Sequence, residues 1–357
     1  MIKLDGSRGE GGGQILRSSL ALAALTGEKL LVTGVRAGRP NPGLRAQHLA
    51  AVKAMQRICG AKVRGATVGS SELLFEPGPA RGGDYTLDVA AEARSAGSTS
   101  LVFQALLPAL SFAGEPSHLV IRGGTHVAWS PPYHHLADAF LPALGRMGLR
   151  ATLGLRRWGW YPVGQGEVEA SVEPVEGGLS PLVLEGRFEP QDIRALSVSS
   201  RLPAHIAERQ RNQLIKRLAE RGLSATVDVL EAEAASPGSL VYLKATSGEG
   251  VVAVSALGER GKPAEVVADE AAGKFFEFLD GGGAVEEHLA DQLVLYLALA
   301  GGESSFTTSR VSRHLLTNIW VIESFLSAPF GPLFEVEGEL GTFGRIKVRG
   351  VGFAGRH

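Results

Sequence analysis

His314 sits where a Ser/Arg-rich loop meets an apolar helical run of Leu315, Leu316, Ile319, Val321, Ile322, Phe325 and Leu326. An imidazole on such a support can act as nucleophile, general base or metal ligand, or it can simply begin a helix. The other loops bear on that choice. Gly9-Glu10-Gly11-Gly12-Gly13-Gln14-Ile15-Leu16-Arg17 follows a predicted strand and opens a predicted helix. Glycines at that junction let backbone N–H groups approach an anion. No Gly-Lys-Ser/Thr follows, and Gln14 breaks the GxGxxG order, so neither familiar phosphate loop is present. Glu10 is placed to hold a divalent cation, and Arg17, one turn into the helix, to contact phosphate. Arg36-Ala37-Gly38-Arg39-Pro40-Asn41-Pro42-Gly43 is a stiff loop whose arginine forks suit phosphate, with Arg45, Gln47 and His48 just beyond it.

Three further segments carry chemistry-bearing side chains. Ser95–Thr99 is a small-residue helix start with free amides and hydroxyls. Gly123–His135 offers Trp129, Pro131, Pro132 and Tyr133 as flat faces for a base. Its His126, His134 and His135 match no zinc spacing, and capping or core roles suit them better. His288 and Asp291, spaced i and i+3, share a helix face and suit either a catalytic pair or a helix cap. Lys3-Leu4-Asp5-Gly6 matches the Lys-x-Asp-Gly pattern of lysine-adenylating ligases. It lies inside a predicted first strand with no nucleotidyltransferase domain before it, which argues against a nucleophilic Lys3.

The elements that must position these residues come from a repeat. Leu16–Gly27, Ser100–Gly114 and Asp291–Gly301 each read as a buried, small-residue helix stopped by glycine. Each is followed by a strand, a polar loop, a second helix and two strands, and a strand precedes the helix. The pattern is β-α-β-α-β-β used three times. Gly27 to Gly114 spans 87 positions and Gly114 to Gly301 spans 187, so about 100 extra residues lie in the third unit. The expected fold is α/β (α+β). One large domain of three units covers about 1–80, 81–180, and 181–187 with 276–357. A smaller inserted α/β domain covers 188–275. The insert's helix carries Arg209, Arg211, Lys216, Arg217 and Arg221, which read as a solvated face in preference to an RNA-binding stripe.

Composition bounds the partners. The formal net charge is −1, which gives no field for holding long nucleic acid, so an anion must be met by a local arginine cluster. Cys59 is the single cysteine, which excludes an internal disulfide and a CxxC metal site. No apolar run reaches membrane-spanning length and no signal peptide is visible, so a cytoplasmic protein is expected.

Taken together, the three repeats with an insert, Gly9–Arg17, Arg36–Gly43, Ser95–Thr99, Gly123–Pro132, His288–Gln292 and Arg313–Ile319 closely resemble the adenylating RNA 3′-terminal phosphate cyclases. The resemblance runs end to end. It implies ATP-dependent conversion of an RNA 3′-phosphate to a 2′,3′-cyclic phosphate, with Mg²⁺ or Mn²⁺ and a covalent histidine-AMP. By it, His314 is the nucleophile and Glu10 the metal-binding carboxylate. His288 stacks on one face of adenine and Pro131 on the other, with Gln104, Asp291 and Gln292 in the same pocket. Arg17 and Arg39, with Arg36, Gln47 and His48, match phosphate-binding positions. His134 and His135 depart from the family's acidic-aromatic pair, and Gln165 interrupts a glycine run. RNA 3′-phosphate ends and ATP are the expected partners, with a homodimer as a further expectation. The repeat is shared with enolpyruvyl transferases, and a non-catalytic ribosome-assembly relative lacks the nucleophile. Both stay open as alternatives on fold alone.

Overall fold

A computed structural model describes residues 1–89, 96–248 and 250–355. Ser95, the first residue of the helix-start segment noted above, lies outside the described residues.

The first unit runs β1 (Ile2–Asp5), α1 (Gly13–Thr26), β2 (Leu30–Thr33), α2 (Ala46–Cys59), β3 (Lys62–Arg64) and β4 (Leu73–Glu76). The second runs β5 (Gly83–Asp88), α3 (Thr99–Ser111) and β6 (Ser117–Gly123). Its second helix is broken into α4 (Tyr133–His135), a π segment (Leu136–Phe140) and α5 (Leu141–Arg146), and β7 (Ala151–Arg157) and β8 (Gly166–Val172) close it. The third begins with the short β9 (Val183–Leu184). The insert follows as β10 (Asp192–Ser200), α6 (His205–Ala219), β11 (Thr226–Glu231), β12 (Gly238–Ser247), β13 (Gly250–Leu257) and α7 (Ala264–Gly281). The chain then returns through α8 (Glu287–Leu299), β14 (Gly301–Thr308), α9 (Arg313–Phe330), β15 (Phe334–Glu337) and β16 (Gly344–Val351).

Each repeated unit forms a four-stranded sheet with the same order: first, second, fourth, third. The first two strands are parallel, as a helical crossover requires, and the remaining pairings are antiparallel. Alternating burial along β6, β8 and β16 leaves one face of each sheet for the helices. The small-residue helices α1, α3 and α8 are buried nearly all round, which explains why they lack a polar stripe. Helix α1 packs against α2, α3 and α9, and α8 packs against α9, so the starts of several helices from different units converge.

The insert's sheet has the order β11-β10-β12-β13, covered by α6 and α7. It has a separate hydrophobic cluster that includes Phe188, Ile193, Leu214, Leu218, Val241, Val252 and Phe275. At the start of β10, exposed Asp192 and Arg194 alternate with buried Ile193 and Ala195, the pattern of a strand covered on one face. Two arginines of α6, and Arg221 just past its end, tie it to α7. Arg209 pairs with Glu265 at 2.7 Å, Arg217 with Asp269 at 3.2 Å and Arg221 with Asp280 at 2.8 Å.

Candidate active site

A cleft of about 1520 Å³ opens between the units. Its walls are the N-terminal ends of α1, α8 and α9, the Arg36–Gly43 and Gly123–Pro132 loops, the side of α3, and β13 and α7 of the insert. Every side chain singled out as a site residue lines it. The first unit supplies Glu10, Arg17, Arg36, Arg39, Gln47 and His48, the second Gln104 and Pro131, and the third His288, Asp291, Gln292 and His314. Lys3 is exposed on β1 and is not among the lining residues. Cys59 is buried on α2, and burial pushes its thiol up to about 11, which makes it a poor nucleophile.

His314 is the second residue of α9, which is capped by Ser312 accepting from the Leu315 N–H at 3.0 Å. Its Nδ1 donates to Gln14 Oε1 at 2.7 Å, so Nε2 is left without a proton in the neutral ring. That nitrogen faces Glu10, 3.8 Å from Oε1. Burial, then the charges of His288, Arg17 and Arg39, push the imidazole down to about 4, so it is neutral near pH 7. Gln14 had drawn notice in the sequence only for breaking a glycine pattern. Its spacing from the loop glycines gave no sign that it would reach a histidine 300 residues away.

Glu10 lies over the helix start. Its carboxylate pairs with Arg39, and its backbone N–H donates to Thr317 Oγ1 at 3.2 Å. A Cβ on Gly12 would sit 2.2 Å from Glu10 Oε2, so the glycine makes room for the carboxylate. Glu10 Oε2 is buried and lacks a hydrogen-bond partner. An orphaned carboxylate oxygen in a cleft rich in phosphate-compatible groups fits a hard divalent cation.

Arg17 is half-buried beside Gly13, and burial lowers it to about 10, with Asp291 opposing that shift. It stays charged near neutrality. His48 accepts the Arg45 backbone N–H on Nδ1 at 3.2 Å, leaving Nε2 to carry the proton beside Gly13, where a Cβ would fall 2.3 Å from it. Burial and then Arg17, Arg36 and Arg45 depress His48 to about 3, so it offers a neutral donor. Arg36 is held differently. Its Nη1 donates to the carbonyls of Asn41 at 2.7 Å and Gly43 at 3.1 Å, fastening its own loop with part of its fork.

At the start of α8, Glu286 accepts from the His288 and Leu289 N–H groups at 2.9 and 3.2 Å. Glu286 and then the other nearby acids hold the His288 imidazole above its usual range. Glu286, Glu287 and His288 bring ligand atoms within 4.8 Å of one another. Asp291 is buried, and burial raises it to about 7 against the attraction of His288 and Arg17. Gln292 Oε1 accepts from His135 Nε2 at 3.2 Å, linking units three and two. His126 and His134 contact each other at 3.0 Å in an aromatic cluster with Trp158 and are not cleft residues.

Two buried polar atoms besides Glu10 Oε2 also lack partners and belong to cleft-lining residues: Tyr296 Oη and Asn318 Oδ1. Asn318 Nδ2 donates to the Asp291 carbonyl at 2.6 Å, tying α9 to α8. Neither was singled out as a site residue, because an apolar helical pattern makes Tyr296 look like core. The contribution of Ala253, Val254, Ser255 and Lys274 from the insert was likewise not legible, since nothing local marks them.

The model of the family described as RNA 3′-terminal phosphate cyclase matches residues 8–331. A protein named RNA 3′-terminal phosphate cyclase from Methylococcus capsulatus is 45% identical over 328 residues, covering 91% of each chain. One of the same name from Thermococcus onnurineus is 44% identical over 352 residues, covering 98% of this chain and 99% of its own. Another from Pyrococcus furiosus is 40% identical over 349 residues, covering 98% of each. Among solved structures, an EPSP synthase from Acinetobacter baumannii aligns with 98% of this chain and 65% of its own. At 13% identity and a TM-score of 0.26, that likeness bears on neither fold nor function. The end-to-end matches among named relatives, over a chain whose helix starts meet at one cleft, mean that it belongs to the RNA 3′-terminal phosphate cyclase family.

Proposed function

We propose that this protein uses ATP to convert an RNA 3′-terminal phosphate to a 2′,3′-cyclic phosphodiester, with His314 as the adenylated nucleophile. The observation that carries the reading is the His314 ring itself. It is neutral, with Nδ1–H fixed by Gln14 and Nε2 bare toward the cleft. Nε2 attacks the α-phosphorus of ATP, the bond to the bridging oxygen breaks, and pyrophosphate leaves. Arg17 and Arg39 meet its charge, and His48 Nε2–H adds a neutral donor. An oxygen of the RNA 3′-phosphate then attacks the same phosphorus and releases His314, giving an RNA-adenylate anhydride. The neighbouring 2′-OH attacks the RNA phosphorus, loses its proton and expels AMP. That ring closure is intramolecular, so holding the terminus still is the main task of the residues around it.

His288 and Pro131 are assigned to the two faces of adenine, with Gln104, Asp291 and Gln292 around its edge and ribose, and Gln47 and Arg36 beside the RNA phosphate. Glu10 is the residue to hold Mg²⁺ or Mn²⁺ through its orphaned oxygen, and the bound ion would neutralise phosphate charge.

The test uses α-labelled ATP with Mg²⁺ and peptide mapping of the labelled protein. The expected adduct is on His314, absent from His314→Ala and unaffected in Lys3→Ala. A label that survives His314→Ala, or that maps to Lys3, overturns the mechanism. Absence of any adduct together with RNA binding indifferent to ATP would favour a non-catalytic RNA-binding role.

A further inference from the structure

Trp129 is unused by the chemistry above, and two independent features set it apart. It is 98% exposed, although tryptophan is normally among the most covered residues in a folded chain. It also holds φ at +63, a left-handed backbone that a bulky side chain adopts only under strain. The strained turn belongs to the loop that ends in Pro131, and both residues line the cleft. Local strain that throws a large flat ring into solvent at the edge of a binding cleft is costly, and it serves no packing.

From this we infer that Trp129 is a stacking platform for a base of the single-stranded RNA whose 3′-phosphate enters the cleft. The inference rests on the proposed RNA substrate. An indole face takes any nucleobase, from ATP or from RNA. The RNA source is favoured by position. A ring that the protein leaves uncovered stands at the mouth, whereas the nucleotide that meets half-buried His314 lies deeper. It is favoured by charge as well. A chain with formal net charge −1 has no general field for a polyanion, so affinity must come from local contacts. Phe343, 46% exposed on the turn before β16, puts a second ring on the same cleft. The substrate class that follows is an RNA end with unpaired bases, bound through its bases without regard to their identity.

The test compares the parent with Trp129→Gly and Trp129→Phe. Glycine suits the left-handed backbone, so the first variant removes the ring without distorting the loop. Steady-state assays use a short single-stranded 3′-phosphorylated oligoribonucleotide. Trp129→Gly should raise KM for RNA about tenfold, with kcat and the rate of labelling by ATP alone retained. Trp129→Phe should fall between it and the parent. Replacing each of the last few nucleotides in turn by an abasic unit should, at one position, remove the difference between parent and Trp129→Gly. Direct binding is read from quenching of the parent's emission by the oligonucleotide, which should be absent in Trp129→Phe. An unchanged RNA KM with no such quenching overturns the inference. So does a rise confined to the KM for ATP, which would make adenine the occupant. Loss of labelling in the parent itself would count against the catalytic reading instead, and the quenching measurement would still decide the role of Trp129.

Discussion

Burial next to His288, Arg17 and Arg39 pushes the His314 imidazole from 6.5 down to about 4. A lowered histidine pKa means that the neutral, nucleophilic form is complete above the folded-state value and is lost as pH falls through it. With ATP saturating, labelling of His314 should therefore stay nearly flat from about pH 7 to about pH 5. An imidazole at its ordinary value would lose most of its rate over that range. A fall centred near 6.5 in a single-turnover pH profile would show that the ring is not desolvated by these neighbours. At this scale the residues that come to line the cleft were largely legible in the sequence, because the residue types suited to phosphate and adenine stand out in loops: Glu10, Arg17, Arg39 and His314. Gln14, Tyr296 and Asn318 were not legible. An amide or a phenol inside an apolar helix gains its meaning only from what the fold brings opposite it.

The start of α1 shows what an element must do for the site. Gly12 has φ −104, which any residue can adopt, so it is glycine for want of space and not for backbone freedom. A Cβ there would lie 2.2 and 2.4 Å from the Glu10 carboxylate oxygens. Those atoms are the end of a flexible side chain, so Gly12→Ala should swing the carboxylate aside and leave the helix in place. The expected result is a melting temperature close to the parent's with labelling by ATP slowed about a hundredfold, since a displacement of about 1 Å costs that much in a positioned site. Normal labelling kinetics in a folded Gly12→Ala protein would remove Glu10 from the machinery. Most helices were readable from their runs of apolar and small residues, and three of them end on a left-handed glycine: Gly27 after α1, Gly60 after α2 and Gly282 after α7. The π segment at Leu136–Phe140 was not, because nothing in the Tyr133–Met147 pattern distinguishes it from continuous α-helix.

At the scale of the molecule, the insert leaves the chain in the third unit yet docks on the second. Trp160 Nε1 donates to Ser200 Oγ at 2.9 Å, and Ser236 Oγ donates to the Trp160 carbonyl at 3.3 Å. Asp138 lies 3.0 Å from the Tyr242 hydroxyl and 3.2 Å from Lys244 Nζ. Chain order gave no warning of this, since adjacency in sequence points to the wrong unit. The consequence reaches the cleft, because the docked β13 and α7 supply Ala253, Val254, Ser255 and Lys274 to its wall. The tightest point of the seam is Gly238, where a Cβ would fall 2.2 Å from the Trp160 ring. Neither side can yield. Trp160 is 3% exposed and fixed by Ser200, and β12 is paired on both edges. Gly238→Val should therefore overpack the seam, at a cost of about 1–3 kcal/mol. Because the insert has a hydrophobic cluster of its own, the expected outcome is undocking without unfolding. Calorimetry should resolve two transitions, and ATP affinity should fall several-fold as one wall withdraws. A single transition with unchanged ATP affinity would mean that the insert's wall contributes nothing to holding the nucleotide.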